Sequence, residues 1–399
     1  MKEWAMGIIK YRHVNDVTLQ CEINLNSLYP DGQIKRFRKK FQEFKKSHES
    51  KNIIFQLIGH KLLYKSEQIV PTKFNSKPLL LMVFGNPASH SIKSGMFFSH
   101  EGNEREHRFW TQILRDSGIV DLTSGPKMIG NKINNWRKDQ LLNLEYNSLF
   151  RVGLTVLITF PSPSSGKWSG VAGVKKLFGA KAFEKLVEAE TKRVKKLAHE
   201  VVIKNGVVMT FQKDAWFRLS DDKNTQNYLT RSKNSELINT IDRTIPIYGL
   251  PPTRNSGICR DTLKRFLNDI SMVELRSYNR SDIKKFKIIG KSLAFCIEWK
   301  EGRLVLSRFE EKKSFCLDKR FERRLNVSDV DWQRFIDICN HVHIWSWKTR
   351  YDHPDILDGW SWAVELKIGD HFIFSSGSNA GPKNLDEFLE SVAKLFKVN

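Results

Sequence analysis

Leu79 to Trp110 read LLLMVFGNPASHSIKSGMFFSHEGNEREHRFW. The opening run, Leu79 to Phe84, is apolar without alternation and long enough for a strand buried on both faces. It stops at Gly85-Asn86-Pro87, where glycine frees the backbone and proline removes a ladder donor, so the chain is expected to turn. In open α/β sheets, ligands sit beyond the carboxyl ends of the strands. Asn86 is therefore a polar side chain expected where such sites are built. An aromatic pair, Phe97 and Phe98, follows the flexible Gly95, and a helix-like segment then carries His107-Arg108-Phe109-Trp110.

Two further strand-and-loop units follow. Phe150 to Phe160, FRVGLTVLITF, is β-branched and apolar and reads as a second buried strand. The loop PSPSSGKWSGVAG (161–173) is rich in Pro, Ser and Gly, a composition of surface turns, and could touch phosphates through its serines and Lys167. Lys181 to Val201 is an amphipathic helix, and Val207 to Phe211 a short third strand. Residues 220–240 are polar and read as an excursion. Thr244 to Gly249 is a fourth short strand, followed by Leu250-Pro251-Pro252-Thr253-Arg254-Asn255-Ser256-Gly257 and a helix through Leu263, Phe266, Leu267 and Ile270.

These elements resemble the uracil-DNA glycosylase superfamily. Its members carry a Gly-x-(Asp/Asn)-Pro loop after the first core strand, a base-stacking aromatic about ten residues on, and in many cases an Asn-(Arg/His)-Phe-Trp segment. Gly85-Asn86-Pro87, Phe97 or Phe98, and His107-Arg108-Phe109-Trp110 occur here in that order, with Gly directly before Asn where the family has one residue between. The resemblance implies a three-layer α/β/α core with a mainly parallel sheet. It implies Asn86 as the catalytic group, and Gly85, Pro87, Ala88, Phe97, Phe98 and Thr155 around the base. The second family motif, which grips flanking phosphates, would fall on Thr253, Arg254, Asn255 and Ser256, without the usual histidine. Pro161-Ser162-Pro163 is similar to that motif's wording but follows the second strand, not the fourth, and is read as a decoy. Uracil-specific members place an amide near the end of the second of these strands. The matching position here is close to Val156, with Thr155 or Thr159 as polar neighbours. They also place a tyrosine after Asp-Pro against C5 of the base, where this chain has Ala88. The resemblance thus implies a pocket open to C5-substituted pyrimidines, including the hypermodified cytosines of some phage genomes.

Bulk properties agree with a polyanion partner. The 399 residues hold 66 Lys and Arg against 44 Asp and Glu, a net +22. Such an excess points to nucleic acid, double- or single-stranded DNA in the reading above. No apolar run approaches the roughly 18 residues of a membrane span, and MKEWAMGIIKYRH lacks a signal-peptide core, so a cytoplasmic protein is expected. Cys21, Cys259, Cys296, Cys316 and Cys339 have no CxxC spacing and read as reduced thiols, with neither zinc nor iron–sulfur implied. No cofactor and no metal are expected. No Gly-x-Ser-x-Gly elbow supports another α/β hydrolase. A uracil or mismatch repair glycosylase, and a non-catalytic DNA-binding protein on the same fold, are the competing readings.

Outside this core, residues 1–74 read as a lead-in packed on the catalytic domain (75–272). Its first 30 residues are weakly β. Gln33 to His48 is a helix with Phe37, Phe41 and Phe44 on one face and Lys and Arg on the other, and Ile53 to Leu63 continues the helical entry. Residues 271–283 read as a linker and 285–399 as an α+β domain. That domain has helices at 329–339 and 385–396, an Asn384–Glu387 capping arrangement, and Trp345, Trp347, Trp360 and Trp362, read as core with a DNA-contacting platform that stacks bases as the alternative. His341 and His343 share a strand face but lack a third metal ligand.

Overall fold

In the computed structural model the chain forms two compact units. One comprises Met1–Lys73, Pro78–Asn143 and Phe150–Phe266, the other Phe74–Lys77, Leu144–Leu149 and Leu267–Asn399. The structure describes residues 3–30, 32–47, 54–73, 77–100, 106–123, 128–202, 206–275, 283–290, 293–301, 303–312, 316–342, 344, 347–352, 360–368 and 371–398. The first unit holds 43 Lys and Arg against 23 Asp and Glu, the second 23 against 21. Nearly all of the positive excess therefore sits on the first.

The first unit contains two sheets. Strands β1 (Glu3–Met6), β2 (Ile9–His13), β3 (Thr18–Asn24), β4 (Phe55–Ile58) and β5 (Lys61–Glu67) form an antiparallel sheet in the order β1-β2-β3-β5-β4. The stretch expected to continue as a helix, 53–63, instead holds the β4–β5 hairpin from residue 55 on, with residue 53 outside the described residues. Gly59 and His60 form a two-residue turn, with Gly59 at φ 54 supplying the left-handed backbone such turns demand. Helix α1 (Leu25–Leu28) follows β3, and α2 (Gln33–Lys46) packs on the same core. Its buried Ile34, Phe37, Phe41 and Phe44 recur at helical spacing. Each of these side chains, once buried, contributes about 1.5–3 kcal/mol.

The second sheet is built on β6 (Leu79–Phe84), β7 (Arg151–Val156), β8 (Val207–Thr210), β9 (Ile238–Ile241) and β10 (Ile245–Gly249), ordered β7-β6-β8-β10-β9. Strands β6, β7, β8 and β10 run parallel, and β9 is antiparallel to β10. All six residues of β6 are buried between β7 and β8, as the continuous apolar run requires. The β9–β10 hairpin turns at Asp242 and Arg243, both at positive φ, so the polar excursion ends in a strand that its composition hid. Eight helices accompany this sheet among the described residues: α3 (Ser89–Ser94), the π-helical α4 (Phe109–Arg115), α5 (Asn131–Asn143), α6 (Gly170–Phe178), α7 (Ala180–Val201), α8 (Lys213–Leu219), α9 (Tyr228–Lys233) and α10 (Ser256–Leu275). The mixed α and β content with a parallel sheet is compatible with the α/β class.

The second unit carries a seven-stranded sheet. Its strands are β11 (Ile283–Gly290), β12 (Leu293–Lys300), β13 (Arg303–Lys312), β14 (Cys316–Arg324), β15 (Arg350–Asp352), β16 (Ser361–Ile368) and β17 (His371–Ser378), ordered β14-β13-β12-β11-β16-β17-β15. Helices α11 (Asp329–His341) and α12 (Leu385–Leu395) share its core with Phe286, Phe295, Trp347 and Trp362. Trp347 and Trp362 are core residues in edge-to-face contact at 5.9 Å, and Trp360 is half-buried. Trp345 and His343 lie outside the described residues. His341 instead pairs with Glu387 at 3.2 Å. Asn384 makes no side-chain cap bond at α12, so the expected capping arrangement is not formed. The 271–283 linker begins later than its composition suggested, since α10 runs on to Leu275.

Candidate active site

The chain leaves β6, builds β7 on one side of it, and then crosses to build β8 on the other. The strand order therefore reverses at β6 and β8, and their carboxyl ends open a crevice of the kind that α/β sheets use for ligands. A cavity of about 700 Å³ occupies this place. Its lining comes from the end of β6 (Phe84), the end of β8 (Phe211, Gln212, Lys213), the loop after β10 (Pro252, Thr253, Arg254, Asn255) and the stretch Thr225–Thr230 at the start of α9. Phe84 and Phe211 stack on each other at 4.9 Å and 13° and are buried, so they form an aromatic floor to the cavity. Lys213 and the exposed Arg254 supply positive charge. Thr225, Asn227, Thr230, Thr253 and Asn255 supply hydroxyls and amides.

Gln212 was not singled out by sequence, because one amide after a four-residue strand has no periodicity to mark it. It caps α8 from an extended backbone. Its side chain lies against Gly85, where a Cβ would be 2.7 Å from Gln212 Cδ and nearer still to its terminal atoms. Gly85 is thus required for this close approach and not for a left-handed turn. Nor does the β6–β7 ladder end at the Gly-Asn-Pro loop, because Ile158 N–H donates to the Gly85 carbonyl at 2.9 Å.

Asn86 is half-buried on the β7 side of that loop. Its amide nitrogen donates to Ser162 Oγ at 2.9 Å and to the Phe160 carbonyl at 3.2 Å. Ser162 in turn accepts from Gly170 N–H, at the start of α6, at 2.9 Å. Ser162 N–H donates to the Pro87 carbonyl at 3.0 Å, Ala88 bridges to Ser162, and Ser89 N–H donates to the Ser162 carbonyl. The Pro161-Ser162-Pro163 loop, read as a decoy, is therefore the direct neighbour of Asn86, Pro87 and Ala88. The amide orientation leaves Asn86 Oδ1 without a partner among the described residues. Asn86 and Ala88 are not part of the cavity lining, so Gly85 sits between two clusters, Asn86–Ser162 and Gln212–Arg254.

Phe97 is buried, whereas Phe98 is half-buried and held at φ 49, a conformation that is costly for an aromatic residue and often tied to function. Its carbonyl accepts from Trp110 Nε1 at 3.1 Å, and its ring stacks on Phe109 at 4.3 Å and meets Phe84 edge-on at 5.0 Å. Phe98 thus packs edge-on against the Phe84 side of this aromatic group but is not part of the cavity lining. The His107 ring lies 4.8 Å from Phe98. Although part of its surface reaches solvent, loss of hydration among surrounding atoms, followed by the charge of Arg108, pushes its pKa down to about 4. The His107 Nδ1 accepts from Phe109 N–H at 3.1 Å.

The remaining sequence candidates fall elsewhere. Thr155 is fully buried and donates to Gln68 at 3.3 Å, in a polar interior that also holds the Arg193–Glu190 ion pair at 2.7 Å. It therefore does not face the cavity. Thr159 is also buried, with its N–H donating to Glu190 at 2.8 Å. Val156 is buried too, and its carbonyl accepts from Arg193. Lys167 is exposed on the loop before α6, 3.5 Å from Glu43. Ser256 begins α10 and donates to Gln112 at 2.8 Å, beside Asn255 but outside the cavity.

Among the described residues no group of His, Cys, Asp and Glu is arranged to hold a metal, and no helix is long and apolar enough to cross a membrane. Cys21, Cys259, Cys296 and Cys339 are unpaired and buried. Desolvation pushes the Cys21 and Cys259 thiols up to about 12, so neither is a ready nucleophile. No family model matches the chain, and no curated protein matches it.

Proposed function

We propose that this chain is a monofunctional DNA glycosylase with a three-layer α/β/α core. In this reading it flips a modified pyrimidine out of DNA and hydrolyses its N-glycosidic bond. The observation that carries the reading is convergence. The end of β6 at Phe84, the segment after β8 and the loop after β10, far apart in sequence, meet around one cavity, which combines aromatic rings with Arg254 and Lys213. A base inside a duplex must leave the stack before it can be attacked, and an aromatic ring suits its flat face. One ring of this group, Phe98 or Phe84, would stack on it, while Arg254, Thr253 and Asn255 hold phosphates nearby.

Hydrolysis bonds a water oxygen to C1′ while the C1′–N bond breaks with its electron pair going to the base, and the proton the water loses passes through solvent to the departing base anion. The Asn86 carbonyl oxygen would orient that water. The Gln212 amide and the positive field of Lys213 and Arg254 would favour the departing anion. Ala88 leaves space where a tyrosine would exclude C5 substituents, so a 5-substituted pyrimidine is the proposed substrate. A hypermodified phage cytosine fits, which would make the protein an antiviral enzyme of the cytoplasm. A second reading, a non-catalytic DNA-binding protein, is favoured by one observation: the Asn86 amide nitrogen is occupied in tying down the Ser162 loop. Incubation with duplexes carrying a series of modified pyrimidines, then alkali to cut abasic sites, tests both. Strand cleavage at one base supports the enzyme, and binding without cleavage at any base supports the alternative.

A further inference from the structure

The basic excess of the first unit has a second focus outside the crevice. Helix α2 turns Ile34, Phe37, Phe41 and Phe44 into the core. At about 100° per residue, Lys35, Lys39 and Lys46 fall within about 40° of one another on the opposite face, with Arg36 beside them. All four are exposed. Helix α6 packs against α2, and Lys40 Nζ donates to the Lys176 carbonyl at 3.4 Å. Lys175 and Lys176 are exposed, and Lys167 and Lys176 flank the buried Trp168 ring at 4.9 and 5.6 Å. Trp168 meets Phe44 edge-on at 5.8 Å. Glu43, paired with Lys167, is the one acid among the described residues of α2, α6 and the loop before α6.

We infer that the α2–α6 face is a second DNA-backbone surface, a rail for the duplex flanking the extruded base. The inference rests on the glycosylase reading and adds a contact which that reading does not require. Three observations carry it. Its charge is of one sign and nearly uncompensated. Its helix is fixed by an aromatic core, so the cations spring from a fixed row of backbone positions. It connects to the site, because Ser162, bonded to Asn86, also caps the start of α6. The 14 residues of α2 span about 21 Å, matching about six base pairs at about 3.4 Å each.

The test replaces four exposed side chains, Lys35→Gln, Arg36→Gln, Lys39→Gln and Lys46→Gln, in the full chain. Affinity is measured against salt for a duplex of about 30 base pairs and one of about 10. Each lost phosphate contact flattens the log–log salt slope by about 0.9. The expected result is a slope flatter by about two to four on the long duplex and unchanged on the short one, with the melting temperature preserved. Replacing the three lysines by arginine should keep the slope. If wild type binds DNA and the four-site variant has the same slope on the long duplex, the rail is refuted and the glycosylase reading stands. If wild type binds neither duplex, both fall. If the four residues are needed instead for binding phosphatidylcholine vesicles with about one-fifth phosphatidylserine, and not for DNA, the face is a membrane surface and the inference is wrong.

Discussion

Gln212 lies so close to Gly85 that no side chain fits at position 85 without moving it. The contact joins the end of β6 to the end of β8 across the point where strand order reverses. Gly85→Ala should therefore displace the Gln212 amide, and because that amide is the end of a flexible, half-buried side chain the stability cost should be small, at or below about 1 kcal/mol, the low end of the overpacking range. Gln212→Ala in the same chain should restore most of that stability without restoring excision. Denaturant unfolding of the two single variants and the double variant measures the coupling. Independent effects of the two substitutions would show that the contact does not constrain position 85.

Asn86 is held as an amide by its surroundings. Its nitrogen donates to the Phe160 carbonyl, which a carboxylate cannot do. Asn86→Ala should lower single-turnover excision by on the order of 100-fold or more and leave DNA affinity nearly unchanged. Asn86→Asp should not rescue it, because two oxygens would then face each other at 3.2 Å. A near-normal rate in the alanine variant would remove Asn86 from the mechanism and favour its structural role at the Ser162 loop.

Arg254 is exposed at the mouth of the cavity beside Thr253 and Asn255. If about five phosphates are contacted overall, log affinity should fall with log salt at a slope near −4 to −5, and Arg254→Ala should flatten it by about 0.9. Arg12→Ala, an exposed arginine on β2 bonded to Gln20, serves as the comparison and should change little. Equal effects of the two would place the phosphate grip elsewhere.

Glu67 is buried in β5, and burial holds its carboxyl well above the usual carboxylate range. The folded state thus keeps a proton that the unfolded chain releases, and stability falls as pH rises above the ordinary carboxylate value of 4.5. Glu67→Gln should melt higher than wild type at pH 7, and the two should converge near pH 4. A constant difference across that range would mean that Glu67 does not carry the buried proton.

The strands that frame the site were legible because each is an apolar run closed by Gly or Pro: Leu79–Phe84 before Gly85, and Ile245–Gly249 before Pro251. The α2 helix was legible from its phenylalanine spacing. What escaped depended on contacts distant in sequence. Residues 53–63 are too short for periodicity to separate strand from helix, and Gly59 decides it. The Pro161–Pro163 loop was set aside on strand order, yet the continued β6–β7 ladder lays it against Asn86. Gln212 has meaning only beside Gly85, and Thr155 leaves the candidate pocket because Gln68 and Arg193 enclose it.

The central claim is excision of a 5-substituted pyrimidine, admitted because Ala88 stands where the resemblance would place an excluding tyrosine, and one measurement tests it most directly. Wild type and Ala88→Tyr are incubated with matched duplexes carrying uracil or a bulky 5-substituted cytosine. Abasic sites are then cut with alkali, and thermal unfolding is recorded alongside. The account predicts that wild type cuts the substituted base, and that the tyrosine ring abolishes this cleavage by overlap while any action on uracil survives. Cleavage of uracil alone by wild type, or undiminished cleavage of the bulky base by Ala88→Tyr, would contradict it.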